Sequence, residues 1–405
     1  MRVLMTIQPA FSHATQVIPL ARELERRGHV VTVATSATFA RTLVHHGLDA
    51  RPVGPDWMLR PGDELFDRTI GQHKMFGFLQ VPDRSSIEDL LRLARETRAQ
   101  LIVREYTEFG GWAAAQRLGI PLATQGIVHR LPPAVEAQVA EVAQRLAALA
   151  RIEPPRGADE LLGCAYLDVV PPSFRCAWEH DNIALAHASR PSVFDGSGGE
   201  APPPWLEAFG RERPLIYSTL GNIFSDSPAV WHAVLTALSE LDVDALVTTG
   251  LDSDPAELGA RPRNVRIERY LPQSQVLSRS TAVVCHGGFN TLIGTFSHGL
   301  PAVCLPLAAD QPVNAACCAA AGAGLNAANG PAQDHRGPLV DPEDLNPEDI
   351  ATAITRLTNE PTFTDAARQL ASEIQAMPGP SETAHTLEQL ITIDAAVPQA
   401  QRSAA

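Results

Sequence analysis

A histidine stands where an apolar strand gives way to a helix. Val3-Leu4-Met5-Thr6-Ile7 reads as a short strand buried on both faces, and Ala14, Val17, Ile18, Ala21 and Leu24 share one face of the helix that follows. His13 therefore lies above the C-terminal edge of a sheet, where an imidazole can act as a general base or simply cap the helix. A histidine base works better with a carboxylate on its other ring nitrogen, which fixes the tautomer and stabilises the imidazolium. Glu105 follows the strand Leu101-Ile102-Val103 and leaves the same edge, with Glu108 one turn further on. Both can be solvated loop acids; Glu105 is the preferred partner because it is nearer the strand end.

A second constellation lies in the other half. Val284-Cys285-His286-Gly287-Gly288-Phe289-Asn290-Thr291 runs strand, glycine turn, helix. The glycines let backbone approach a ligand, and the helix start presents N–H groups with partial positive charge. With His286, Asn290 and Thr291 adding donors, this suits a diphosphate; it also reads as a tight turn capped by Asn290. Tyr217-Ser218-Thr219-Leu220-Gly221-Asn222 ends another strand with hydroxyls and a glycine. Asp310 and Gln311, ahead of Asn314, can hydrogen-bond vicinal sugar hydroxyls or form a helix cap and first turn. Tyr270-Leu271-Pro272-Gln273 can offer a ring and backbone groups to a nucleobase.

Composition narrows the alternatives. The 405 residues are 45% apolar, enough for two domains, and the balance of 32 basic and 46 acidic residues gives −14. Such a chain repels nucleic acid and anionic membranes at long range, so a bound phosphate needs local donors. Lys74 is the only lysine, which excludes a GxxxxGK[ST] phosphate loop. No glycine precedes Gly28, which argues against an NAD or FAD site in the first domain. Cys164, Cys176, Cys285, Cys304, Cys317 and Cys318 show no metal spacing and read as buried thiols of a reducing compartment. With no signal-like or membrane-spanning run, a cytoplasmic protein is expected.

These residues need a scaffold of alternating strands and helices. Strands are expected at Val30–Val33, Leu101–Val103, Ile120–Thr124, Leu215–Ser218, Ala245–Thr248, Val283–Cys285 and Ala302–Leu305. Helices are expected at Leu91–Thr97, Trp112–Leu118, Val230–Leu241, Asn290–Ser297, Pro347–Thr358, Phe363–Met377 and from Glu382 to about Ile393. A Gly- and Pro-rich linker falls between Pro191 and Pro214. Pro52–Asp83 is irregular and carries Trp57, Phe76 and Phe78, whereas Pro132–Leu162 reads as helical.

In combination, His13 with Pro19-Leu20-Ala21 and Arg27-Gly28-His29, Tyr270 to Gln273, His286-Gly287-Gly288 with Asn290-Thr291, and Pro306-Leu307 through Asp310-Gln311 to Asn314 resemble the family 1 nucleotide-sugar-dependent glycosyltransferases. The nearest likeness is to actinobacterial enzymes that decorate antibiotics and other natural products. The resemblance spans nearly the whole chain. It implies an α/β GT-B fold, two Rossmann-like doubly wound domains facing across a cleft. Residues 1–200 would bind the acceptor, 201–213 link, and 214–378 bind the nucleotide sugar. A helix at 379–397 would return to the first domain, ahead of a tail at 398–405.

The resemblance makes His13 the catalytic base, with Glu105 where many members carry aspartate. It assigns Ser218, Thr219, Gly221, Asn222, His286, Gly287, Gly288, Phe289, Asn290 and Thr291 to the donor diphosphate. Tyr270, Leu271 and Gln273 go to the base, with Tyr270 where many members have tryptophan; Phe289 replaces a usual small residue. Asp310 and Gln311 go to the sugar, and Phe11, Trp57, Phe76 and Phe78 to the acceptor. The expected reaction is inverting and metal-independent transfer from a dTDP- or UDP-sugar, the co-substrate, to a hydrophobic aglycone by a monomer or homodimer, with no other cofactor. A sugar-nucleotide epimerase or hydrolase on the same fold, or a non-catalytic helper, is the alternative.

Overall fold

The computed structural model describes residues 1–60, 62–65, 84–179, 183, 185–193, 195, 201–223, 227–251, 253–259, 261–330, 332–333 and 337–396. The chain divides into two compact units. One comprises Met1–Val170, Trp178–Ser192 and the stretch from Met377 onward; the other comprises Pro171–Ala177 and Val193–Ala376.

The first unit is built on β1 (Arg2–Thr6), α1 (Phe11–Arg26), β2 (Val30–Thr35), α2 (Ala37–His45), β3 (Ala50–Pro52), α3 (Arg84–Glu96), β4 (Leu101–Glu105), α4 (Gly110–Leu118), β5 (Leu122–Gln125), α5 (Glu136–Ala150), β6 (Ala165–Asp168) and β7 (Ala186–Ala188). Its strands form one parallel sheet in the order β3-β2-β1-β4-β5-β6-β7. Leu4 and Ile102 are fully buried beneath Leu90 of α3, Trp112 and Ala113 of α4, and Leu146 of α5. Such continuous apolar strands are what a sheet covered on both faces requires.

The second unit holds α6 (Pro204–Ala208), β8 (Leu215–Thr219), α7 (Pro228–Ser239), β9 (Asp244–Thr248), β10 (Val265–Glu268), α8 (Gln273–Leu277), β11 (Ala282–Cys285), α9 (Phe289–Ser297), β12 (Ala302–Cys304), α10 (Gln311–Ala320), β13 (Gly324–Asn326), α11 (Pro347–Asn359) and α12 (Pro361–Ala376). Its parallel sheet runs β10-β9-β8-β11-β12-β13. Ile216, Val247, Val284 and Val303 are buried there with Val234 and Leu238 of α7 and Ile350 and Ile354 of α11. The last helix, α13 (Pro380–Ala396), packs in the first unit, where Glu388 accepts from Arg27, at 2.9 Å to Nε, and faces His29 Nε2 at 2.7 Å.

Both sheets reverse their strand order once, between β1 and β4 in the first and between β8 and β11 in the second. Open α/β sheets bind ligands outside the carboxyl ends of the strands at that reversal. Several elements differ from the sequence expectation. Helix α3 begins at Arg84, ahead of Leu91. The stretch 132–162 breaks into a 3-10 turn at Pro133–Val135, α5, and a 3-10 turn at Ala158–Leu162. The short strands β3, β6, β7, β10 and β13 have no counterpart in the sequence expectation. None exceeds four residues, too few for a period to declare itself. No helix among the described residues is long and apolar enough to cross a membrane. All six cysteines are free thiols, and all but Cys164 are buried.

Candidate active site

The first constellation gathers at the carboxyl ends of β1 and β4. The N-cap of α1 is Ala10, so His13 falls inside the first turn and its backbone N–H donates to Ala10 O at 3.1 Å. From there its Nδ1 lies 3.3 Å from Glu105 Oε1 and 3.4 Å from Thr107 Oγ1. Glu105 is the last residue of β4 and is fully buried. Its carboxylate accepts from Thr107 N at 2.9 Å, from Thr107 Oγ1 at 2.7 Å and from Gln8 N at 3.4 Å. Burial works against its charge, yet the facing His13 and the donors from His13 and Thr107 outweigh burial and hold the carboxyl below its ordinary range.

Glu108 does a different job. It accepts from Thr6 Oγ1, from Gly110 N at 2.6 Å and from Gly111 N at 2.9 Å, closing the start of α4. Burial pushes its carboxyl up. The two acids are thus separated by geometry: Glu105 faces the imidazole, and Glu108 faces a helix N-terminus. Thr107 is the residue that sequence reasoning missed. Its signal, a hydroxyl two places after an acid at a strand end, is visible only once the strand end is known.

Trp57 is buried, and its carbonyl accepts from Ser36 Oγ at 2.6 Å. It lines a pocket of about 400 Å³, open mouth included, with Thr6, Gln8, Thr35 and Glu108. Phe11 is half-buried, and its ring lies 5.6 Å from that of His46. Phe76 and Phe78 lie outside the described residues.

The second constellation gathers at the carboxyl ends of β8 and β11. The His286 ring is wedged between two glycines. A Cβ on Gly221 would stand 2.9 Å from its Cε1 and Nε2, and one on Gly288 would stand 2.3 Å from Nε2. Gly221 also has φ +77°, which a side chain disfavours. Burial lowers the His286 pKa to about 4, against the Thr219 carbonyl, which favours the charged form. The ring is therefore neutral near pH 7, and its Nδ1 is a buried polar atom with no hydrogen-bond partner. Ser218 Oγ and Asn314 Oδ1 are orphaned in the same way. Gly288 caps α9, and the first intrahelical bond runs from Leu292 N to Gly288 O at 3.0 Å. The N–H groups of 289 to 291 thus precede the ladder, with no acidic side chain in the first turn.

The flanking residues are held as follows. Thr219 Oγ1 accepts from Gly221 N at 3.3 Å, and Asn222 is exposed. Thr291 Oγ1 accepts from Gln273 Nε2 at 3.4 Å. Gly287 has φ +80°, and its carbonyl accepts from Asn314 Nδ2 at 2.8 Å. Asn314 Nδ2 also reaches Asp310 Oδ2 at 2.8 Å, which ties the glycine turn to α10. Gln311 is buried, with Oε1 accepting from Leu307 N at 2.8 Å and Ala308 N at 3.0 Å. This braces a loop in which Ala309 adopts φ +54°, a strained value for a non-glycine residue. Tyr270 is exposed, and its hydroxyl donates to Asp195 O at 2.7 Å; Leu271 is half-buried. His13, Glu105 and Thr107 thus meet in one unit, and Ser218, Gly221, His286, Gly288, Asp310 and Asn314 belong to the crown of the other sheet.

Residues 232–390 match the family described as "Erythromycin biosynthesis protein CIII-like, C-terminal domain". The 4'-demethylrebeccamycin synthase of Lentzea aerocolonigenes is 26% identical, over 96% of this chain and 99% of its own. The 10-deoxymethynolide desosaminyltransferase of Streptomyces venezuelae is 24% identical, over 96% and 97%. The crystal structure of glycosyltransferase VinC in complex with dTDP superposes with a TM-score of 0.77 at 24% identity, covering 97% of this chain and 100% of that one.

Proposed function

The chain is an EryCIII-like family 1 glycosyltransferase with the GT-B fold, and from that premise we propose that it transfers a deoxysugar from a dTDP- or UDP-sugar to a hydroxyl of a hydrophobic natural-product aglycone, with inversion and without a metal. The observation that carries this reading is the His13 imidazole, 3.3 Å from a buried glutamate held in its charged form. Glu105 takes the Nδ1 proton as a hydrogen bond, which leaves Nε2 as the base. Nε2 removes the proton from the acceptor hydroxyl. That oxygen attacks the anomeric carbon from the side opposite the diphosphate, and the carbon–oxygen bond to the diphosphate breaks with its electron pair.

Charge then grows on the leaving diphosphate. The N–H groups of 289 to 291 and the neutral His286 ring are dipolar donors already in place, each typically worth ~2.7–4 kcal/mol in such sites. Ser218, Thr219, Gly221 and Asn222 follow one another at the end of β8 and serve the same diphosphate, Asp310 and Gln311 read sugar hydroxyls, and Tyr270, Leu271 and Gln273 flank the base. The dTDP bound by VinC and the desosaminyl transfer named for the Streptomyces venezuelae relative support the donor and acceptor classes.

The test is His13→Ala, read as acceptor-dependent release of nucleoside diphosphate with a panel of macrolide and aromatic polyketide aglycones. Transfer should fall by about 10²–10⁴ while dTDP binding by calorimetry is unchanged. Turnover equal to wild type would remove His13 as the base. Free or epimerised sugar formed from donor alone would point to hydrolase or epimerase chemistry instead.

A further inference from the structure

Next to Glu105 stands a charge that the mechanism above does not use. Arg104 is 1% exposed, and its guanidinium has spent its donors on main-chain carbonyls. Nη1 donates to the carbonyls of Tyr106 at 2.6 Å, Glu108 at 3.1 Å and Glu105 at 3.3 Å. Nε and Nη2 donate to Leu161 O at 3.1 and 2.8 Å. The Phe109 ring lies 4.8 Å from the guanidinium carbon. Consecutive strand residues face opposite sides of a sheet, so Arg104 works on the loop from the side away from His13.

We propose that Arg104 is a positioning residue for the His13–Glu105 pair, its guanidinium gripping the 105–108 loop by three carbonyls so that the Glu105 carboxylate is held against Nδ1 of the imidazole. This rests on the reading of His13 as the base. The link is a single peptide group. The Tyr106 carbonyl accepts from Arg104, and the N–H on the other side of that same peptide, Thr107 N, donates to Glu105 Oε2 at 2.9 Å. A cation on the carbonyl end polarises the peptide and strengthens the N–H bond at the other end. The loop therefore has two faces: carbonyls toward Arg104, and amides toward Glu105 and Glu108.

Burying a guanidinium is costly, and burial works against its charge, with Glu108 and then Glu105 as its countercharges. An apolar residue would fill the space without that cost but would take the Arg104 donor from the carbonyls of Tyr106 and Glu108, whereas Glu105 O keeps Glu108 N at 3.1 Å. Lysine keeps the charge but cannot supply a planar fork to several carbonyls at once. The titratable groups that face this charge are Glu108, Glu105, Tyr106 and Tyr166; Glu105 in turn faces His13.

Two variants separate geometry from charge. Arg104→Lys should lower kcat roughly tenfold to a hundredfold, the scale of a misplaced catalytic group, with the KM for nucleotide sugar unchanged and the acidic limb of the pH–rate profile in place. Arg104→Met should lower kcat at least as far and move that limb to higher pH, because loss of a nearby cation favours the protonated form of the Glu105 carboxyl. Rates are taken per folded molecule, counted by dTDP binding. Wild-type kcat in folded Arg104→Lys overturns the proposal, and that variant decides the matter if Arg104→Met does not fold. His13→Ala and Glu105→Gln run alongside. If they are inactive and the Arg104 variants are not, only the positioning role fails; if His13→Ala is active, the underlying reading fails.

Discussion

The two sheet crowns solve opposite electrostatic problems at the same topological place. In the first unit a full negative charge is buried at the end of β4 and held there by an imidazole, a hydroxyl and two main-chain amides. In the second, the groups at the ends of β8 and β11 include a neutral imidazole, hydroxyls, amides and a helix start. A site that must accept a proton needs a permanent countercharge for the cation it forms. A site that receives an arriving dianion is better left as oriented dipoles, since a resident charge would need its own partner. Under the proposed function the same fold serves both tasks, and the difference lies in which residue ends the strand.

The sharpest way to break this contrast is Gly288→Ala. The new Cβ would meet His286 Nε2 at 2.3 Å, so the ring must move. Affinity for dTDP should fall by about tenfold or more, read by calorimetry, with the first unit's chemistry untouched. Next is the pair Glu105→Gln and Glu108→Gln. The first should cut kcat by about 10²–10⁴ without changing dTDP affinity, because it removes the charge that supports the imidazolium. The second should leave kcat within about twofold and instead lower stability by about 1 kcal/mol in a denaturant titration, as loss of a cap does. Equal kinetic losses in both would erase the distinction between the two acids.

The smallest effect concerns pH. With His286 lowered from 6.5 to about 4 in the folded chain, the unfolded chain binds the extra proton first as pH falls. Stability should thus decline between about pH 6.5 and 4. His286→Asn should flatten that part of a melting-temperature profile; an unchanged slope would mean that the ring is not held neutral by burial.

Much of this was legible in the residues. His13 and Glu105 stand out because an apolar run announces a strand and ligands gather at strand ends, and the structure brings the two side chains together. The glycine turn at 287–288 was legible for the same reason, but not its purpose beside His286. That each glycine leaves room for one imidazole is a tertiary fact, to which Gly221 contributes from the turn after β8. The division between Glu105 and Glu108 depended on where α4 begins, and helix ends are poorly marked when the cap is a phenylalanine, Phe109, with no side-chain bond. Arg104 lies just past the strand expected from sequence and carries no signal there. Only its five bonds to carbonyls reveal its task.

The clasp of Glu388 on Arg27 and His29 means that α13, far along the chain from α1, completes the first unit. A hybrid made by one splice between residues 192 and 193 would set a foreign α13 against the resident α1. A second splice between 376 and 377 restores the resident pairing and exchanges only what lies between. A cassette between those two seams leaves behind Pro171–Ala177, which belongs to the second unit, so an exchange of the whole unit must carry that segment as well.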